Sequence, residues 1–264
     1  MTTIRKPAVA GAFYPASPHA LAQEIEEYLA LVPERAEATA PKALIVPHAG
    51  YVYSGPVAAY AYKRLAPLQG QVSRVVLLGP SHRIPLRGIA ACSADRFETP
   101  LGSLAVDVGA VATALELPQV RIVDDAHIAE HSLEVQLPFI QEVLGDVQLV
   151  PFAVGDASPA ETGELIELLW GGPETVIIVS SDLSHYHDYK TASALDRRTS
   201  ERIVDLEYDK IGYGDACGRV PVTGLLWAAK RRGLSCSILD LRNSGDTAGP
   251  RDEVVGYGAY AFTA

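Results

Sequence analysis

Three apolar runs in this chain each end in a histidine: ALIVPH closes on His48, VVLLGPSH on His82 and VIIVSSDLSH on His185. Imidazole is the side chain suited both to holding a transition metal and to moving a proton near neutral pH. Each run opens like a buried strand and breaks into small polar residues. In an open α/β sheet, ligand sites gather at the carboxyl ends of the strands. Three histidines far apart in the chain therefore have a route into one pocket, as metal ligands or proton carriers.

The segments around these histidines supply further chemistry. In PHAGYVYSG, Gly50 permits a tight turn and the phenols of Tyr51 and Tyr53 are candidate pocket walls. GPSHR is one residue short of a nucleophile elbow, because Arg83 stands where the strained turn needs a small residue. His82, rather than Ser81, is then the reactive group, as a neutral ligand. SSDLSHYHD places Asp182 beside His185, a pairing that fits an oriented general acid and base. Strand alternation turns His187 away from whatever His185 faces.

HIAEHSLEVQ contains the inverted zinc-protease pattern H-x-x-E-H at His127, Glu130 and His131. Asp124 and Asp125 just upstream mark a helix start, which places His127 in a first turn. The segment is better understood as a helical pocket wall offering Glu130, His131 and Glu134. The candidate catalytic group is thus His185, Asp182, His131 and Glu134. In RNSGDTAGPRD, Asp246 sits in a turn after a strand. Together with His48 and His82 it would complete two histidines and one carboxylate, the set that occupies one face of iron(II) and leaves positions open.

The elements that must position these groups alternate along the chain. Strands are expected over 43–47, 74–78, 88–92, 120–123, 147–154, 175–180, 235–241 and 254–262. Helices are expected over 19–31, 57–65, 106–115, 130–144 (kinked at Pro138), 158–169, 191–206 and 221–232. A short linker, Leu31–Pro41, joins the first helix to the first central strand. This alternation predicts one α/β domain over residues 1–264 with a largely parallel central sheet flanked by helices.

Composition narrows the function classes. The chain has 264 residues, 48% of them hydrophobic, which supports a full core. A formal net charge of −10 argues against nucleic acid as a partner. Three cysteines without a C-x-x-C pattern indicate neither a disulfide framework nor a thiolate zinc knuckle. No apolar run approaches the roughly 20 residues of a membrane span, and the N-terminus lacks the pattern of a secretory signal. The expectation is a cytoplasmic protein that meets neither membrane nor nucleic acid. GYGAYA fits a dinucleotide fingerprint in letters only, since it lies in the last strand with no helix after it.

Taken in order, RKPAVAGAFYP, PHAGYVYSG, LLGPSH, FETPLGSL, EHSLEVQLPF, SSDLSHY, DACGRVPV and VVGYGAY span nearly the whole chain. With these motifs the sequence resembles the Memo family, and within it the group called AmmeMemoRadiSam system protein B. The resemblance implies the fold of class III, LigB-type extradiol dioxygenases, with a metal pocket at one sheet edge. It implies His48 and His82 as metal ligands, His185 with Asp182 as the acid/base pair, and Phe13 and Tyr53 as pocket-lining aromatics. For the third ligand it implies a cysteine in the loop after the penultimate strand, but that loop here is NSGDT. Asp246 is the expected replacement and Asn243 the fallback. Iron(II) is the expected ion, with zinc or copper as alternatives. A non-haem iron redox enzyme acting on a small molecule follows. The other implied reading is a non-catalytic module that binds an anionic or phosphorylated peptide in the same pocket. The family name also implies a radical-SAM protein and a small third protein as partners.

Overall fold

The carboxyl ends of three neighbouring parallel strands form the edge on which the histidines sit. The computed structural model describes residues 2–34 and 39–264; most of the expected linker lies in it, and residues 35–38 fall outside the described residues. The strands are β1 (Ile4–Arg5), β2 (Ala43–Val46), β3 (Arg74–Pro80), β4 (Ile89–Ala91), β5 (Arg96–Thr99), β6 (Gly102–Ala105), β7 (Val120–Ile122), β8 (Gln148–Val154), β9 (Thr175–Ser180), β10 (His185–His187), β11 (Ser235–Asn243) and β12 (Val254–Thr263). The helices are α1 (Pro18–Leu31), α2 (Tyr51–Lys63), α3 (Val108–Ala114), α4 (Asp125–Ile128), α5 (Leu137–Leu144), α6 (Pro159–Leu168), α7 (Tyr189–Val204) and α8 (Arg219–Arg232).

The main sheet runs β10-β12-β2-β9-β3-β8-β4-β7, with β11 also paired to β12. Its centre is parallel: β2 pairs with β9, β9 with β3, and β3 with β8. Every residue of β2 and β9 is buried, as expected for strands covered on both faces. Strand β12 pairs antiparallel with β2, β10 and β11, and β4 with β8, while the outermost pair, β4 and β7, is parallel. The sheet is therefore mixed. Antiparallel neighbours need no crossover helix, which is why β11 and β12 follow each other without one. A small second sheet, β1-β5-β6, was not expected from the periodicity. Its strands have two to four residues, too few to show a pattern.

The largest departure lies at 130–144. In place of the expected long helix there is an irregular stretch after α4, a 3-10 turn at Glu134–Gln136, and then α5. Pro138 stands in the first turn of α5, where a missing N–H costs nothing. It starts a helix and kinks none. Among the described residues, no helix is long and apolar enough to cross a membrane.

Helices α6 and α8 cover the sheet and approach closely through glycines. A Cβ on Gly163 would lie 2.2 Å from Trp227 Cε3, and one on Gly224 would lie 2.4 Å from Thr162 Cγ2. Gly163→Ala is expected to destabilise the protein by roughly 1–3 kcal/mol through overpacking. The check is the urea midpoint, and an unchanged midpoint would refute this account of the contact.

Candidate metal centre

Register decides how the strand ends meet. Val46 at the end of β2 pairs with Ser180 at the end of β9, and Leu78 of β3 pairs with Val179. His48, His82 and the 181–185 segment thus leave the sheet at one level. The irregular stretch before α5 crosses this edge and delivers His131 to it. Ring centroids are 5.2 Å apart for His48 and His82, 5.5 Å for His48 and His131, and 4.7 Å for the nearly parallel rings of His82 and His131. One ring nitrogen from each of the three lies within 4.8 Å of the others. They face a cavity of about 640 Å³, which His185, Asp182 and Cys217 also line.

The rings of His82, His48 and His185 are each oriented by a neighbour. His82 Nδ1 is 2.9 Å from Glu130 Oε1, and its backbone N–H donates to Glu130 Oε2 at 2.5 Å. Burial works against the Glu130 charge, but the hydrogen bond and charge of His82 and the N–H of Ser132 outweigh it and hold the carboxyl at about 2. The ionised carboxylate only accepts, so His82 carries its proton on Nδ1 and turns Nε2 to the cavity. His48 Nδ1 lies 2.8 Å from Ser180 Oγ. His185 Nδ1 donates to the carbonyl of Leu183 at 2.8 Å, which leaves its Nε2 as an acceptor.

Burial keeps two of these rings, His48 and His131, neutral. Burial pushes His131 down to about 4, and His82 and Arg83 add to the effect. Burial, then His82 and His131, hold His48 well below its ordinary value. A neutral imidazole offers the lone pair that a metal needs, whereas an imidazolium does not. His131 Nδ1 is a buried nitrogen with no hydrogen-bond partner, 3.5 Å from Glu130 Oε1. Carboxylates behind the rings are the usual outer support of histidine metal sites. The donor set present therefore suits a transition-metal ion. A thiol adds to it: Cys217 Sγ lies 3.2 Å from His48 Nε2, and burial raises this thiol to about 12. A bound cation would reverse that penalty, because coordination deprotonates thiols.

The sequence-derived candidates divide into those brought together and those placed elsewhere. His48, His82, His185 and Asp182 all reach the cavity. Asp182 accepts the backbone N–H of His48 at 2.7 Å, and burial raises its carboxyl to about 7. Phe13 also reaches it, with its ring centroid 4.9 Å from that of His131. Tyr53 lines an adjoining chamber. Tyr51 does not line the site. It is buried in the core, and its hydroxyl donates to Val135 O at 2.8 Å. Asp246 is not with the histidines either. Its carboxylate accepts from Tyr189 Oη at 2.6 Å and from Asn243 N at 3.1 Å, and it lines a separate cavity of about 160 Å³ with Asn243. His131 stands where Asp246 was expected.

Glu134 has a different task from the catalytic one expected of it. It is fully buried, pairs with Arg5, and accepts Ala8 N, Val9 N and Tyr14 Oη at 2.7, 2.9 and 2.6 Å. It anchors the N-terminal segment that carries Phe13. His187 was expected to turn away but borders the cavity with His185. Between them Tyr186 adopts φ +60°, and the β10–β12 register slips there. Such a bulge breaks side-chain alternation. Cys217 was not singled out from the sequence. Its only signal was its place in DACGRVPV, just before a helix.

Residues 5–261 match the sequence profile of the Memo-like protein family. The chain belongs to the Memo family. Memo relatives described as MEMO1 family proteins include one from Sulfolobus acidocaldarius, 34% identical over 98% of this chain and 99% of that protein. Another, from Methanothermobacter thermautotrophicus, is 36% identical over 96% and 98%. A third, from Thermotoga petrophila, is 37% identical over 96% and 97%. The fold is shared with the crystal structure of an uncharacterised Escherichia coli K12 protein. The TM-score is 0.57 at 13% identity, covering 83% of this chain and 98% of that one.

Two predictions follow from the geometry of this Memo-family site. Glu134→Gln leaves the Arg5 guanidinium buried without its counter-ion and should cost roughly 3–5 kcal/mol in chemical denaturation; a loss below 1 kcal/mol would reject the anchoring role. The second concerns acid. His127 and His131 are both pushed down to about 4, mainly by burial. An unfolded histidine binds its proton near pH 6.5. At these two sites the unfolded state therefore holds more protons between about 6.5 and 4, and their contribution to stability falls as pH drops through that window. Asp182, raised by burial to about 7, and Asp196, raised by burial to about 6, oppose this with one proton each. Denaturation midpoints measured across the window should show a shallower slope for His131→Gln than for the wild type.

Proposed function

We propose that this chain is a metal-dependent redox enzyme, oxygenase-like, with one transition-metal ion held by His48, His82 and His131 and with Cys217 adjacent. What carries the reading is the convergence of one nitrogen from each of three imidazoles within 4.8 Å, with His48 and His131 held neutral by burial. Imidazole donors suit iron, zinc and copper. Kinship of the family with LigB-type extradiol enzymes puts iron(II) first. When bound, the ion would supply Lewis acidity and redox capacity at the floor of the cavity.

The chain's own residues complete the chemistry. His185 presents a bare Nε2 to the cavity, because Leu183 O holds its Nδ1 proton. It is the group placed to take a proton from a substrate hydroxyl. Asp182 fixes the loop after β2 through the His48 N–H and shapes the wall between His48 and His185. Phe13 covers the His131 ring and limits water on that side. Arg83 lines the same cavity and favours an anionic or oxygen-rich small molecule.

Protein purified without oxygen should contain about one equivalent of a single first-row metal by elemental analysis. His48→Ala and His82→Ala should lose most of it, and Asp246→Ala should keep it. Retention of metal by both histidine variants, or its loss from Asp246→Ala alone, would overturn the assignment.

The rim also supports a second reading, as a binding module for an anionic peptide. Tyr186 and Tyr213 are 73% and 84% exposed beside Arg83 at the cavity mouth. Peptide binding that survives His48→Ala while metal is lost would separate the two roles.

A further inference from the structure

The His48 ring differs from its neighbours in what it faces. His82 and His185 hold Nδ1 against a carboxylate and a carbonyl, which have no proton to give. His48 Nδ1 faces the hydroxyl of Ser180, which both donates and accepts. Its tautomer is therefore undecided by that contact alone, and the groups behind Ser180 decide it.

The chain of constraint starts at Pro47. Its carbonyl oxygen lies 2.9 Å from Gln136 Nε2. Reversing the Gln136 amide would set two oxygens against each other, so the NH₂ group must face Pro47. In this orientation Gln136 Oε1 accepts from Tyr62 Oη at 2.8 Å, and Nε2 gives its second N–H to Ser180 Oγ at 2.8 Å. Ser180 has a single proton. The carbonyl of Ser132, 2.6 Å away, takes it. The Ser180 oxygen is left with one lone pair, and His48 Nδ1 must donate to it. If Ser180 donated to His48 instead, the buried Ser132 carbonyl would lose its partner. Tyr62, Gln136, Ser132, Ser180 and His48 are each no more than 2% exposed, so bulk water does not stand in for any of them.

We infer that Ser180 and Gln136 are positioning residues that lock His48 as its Nδ1–H tautomer, with the Nε2 lone pair held toward the cavity beside Cys217. A free neutral imidazole exchanges between two tautomers and can turn over about its ring axis. Here one form and one orientation are selected during folding. The consequence for metal affinity rests on the reading of His48 as a ligand; the tautomer itself does not.

The test separates the two. Long-range proton–nitrogen correlation spectra of metal-free protein at neutral pH report which ring nitrogen carries the proton, and a His48→Gln spectrum identifies the His48 signals among the seven histidines. The wild type should show a protonated Nδ1 and a bare Nε2. Ser180→Ala should give a mixture of tautomers, and Ser180→Thr, which keeps the oxygen, should restore the single form. Zinc(II) titration of the same proteins should show affinity falling roughly 10–100-fold in Ser180→Ala and recovering in Ser180→Thr. A protonated Nε2 in the wild type, or an unchanged spectrum in Ser180→Ala, overturns the lock. If Ser180→Ala does not fold, the wild-type and Ser180→Thr spectra still decide the tautomer. A wild type that shows the single Nδ1–H form yet takes up no zinc supports the lock and counts against the metal reading alone.

Discussion

The candidate site hangs from seven residues, Glu130 to Gln136, that cross the open edge of the sheet without forming a regular helix. Their side chains leave in several directions, and each direction has a job. Glu130 grips His82 and the Ser132 N–H. His131 enters the cavity. Glu134 reaches back to Arg5 and the N-terminal segment. Gln136 ties Pro47 to Ser180 behind His48. A continuous helix would send residues three and four apart to the same side. It could not serve the pocket, the N-terminal segment and the β2–β9 strand ends together.

The price of this arrangement is two buried carboxylates, and their surroundings offset it. Glu130 is surrounded by N–H donors and an imidazole, and Glu134 by a guanidinium, two backbone N–H groups and a phenol. Buried charges that are fully partnered survive, while a lone one would not. The same low dielectric keeps His48 and His131 unprotonated. One physical condition, exclusion of water at the strand ends, thus sharpens the carboxylate contacts and keeps the imidazole lone pairs available.

Much of the scaffold was legible from the chain. Apolar runs ending at His48, His82 and His185 marked strand ends, because a strand covered on both faces has no room for polar side chains until it leaves the sheet. The helix between β8 and β9 was visible from periodicity, and in the structure Ser158 caps α6 through a reciprocal bond with Glu161. Other features were hidden for specific reasons. Asp246 looked like the third ligand because it also follows a strand, but β11 pairs with β12 at the antiparallel flank, and the carboxylate is taken up there by Tyr189 Oη and Asn243 N. His131 and Glu134 share a short motif and a similar apparent amphipathic pattern, yet the broken helix sends one into the cavity and the other beneath it. The β1-β5-β6 sheet left no trace in the periodicity, since strands of two to four residues cannot show one.

The amino-acid sequence by itself determined the strand-end histidines, the alternation of strands and helices and the family, because these depend on local hydrophobic pattern and on ordered motifs. Only the tertiary structure decided which third group joins His48 and His82, that Cys217 lies against them, and which nitrogen of His48 is left bare. Those outcomes depend on strand order, on a crossing segment with no periodic signature, and on hydrogen-bond directions fixed by residues as far apart as Pro47, Tyr62, Gln136 and Ser180. No local pattern encodes them, since each acceptor is committed only when all the others are in place.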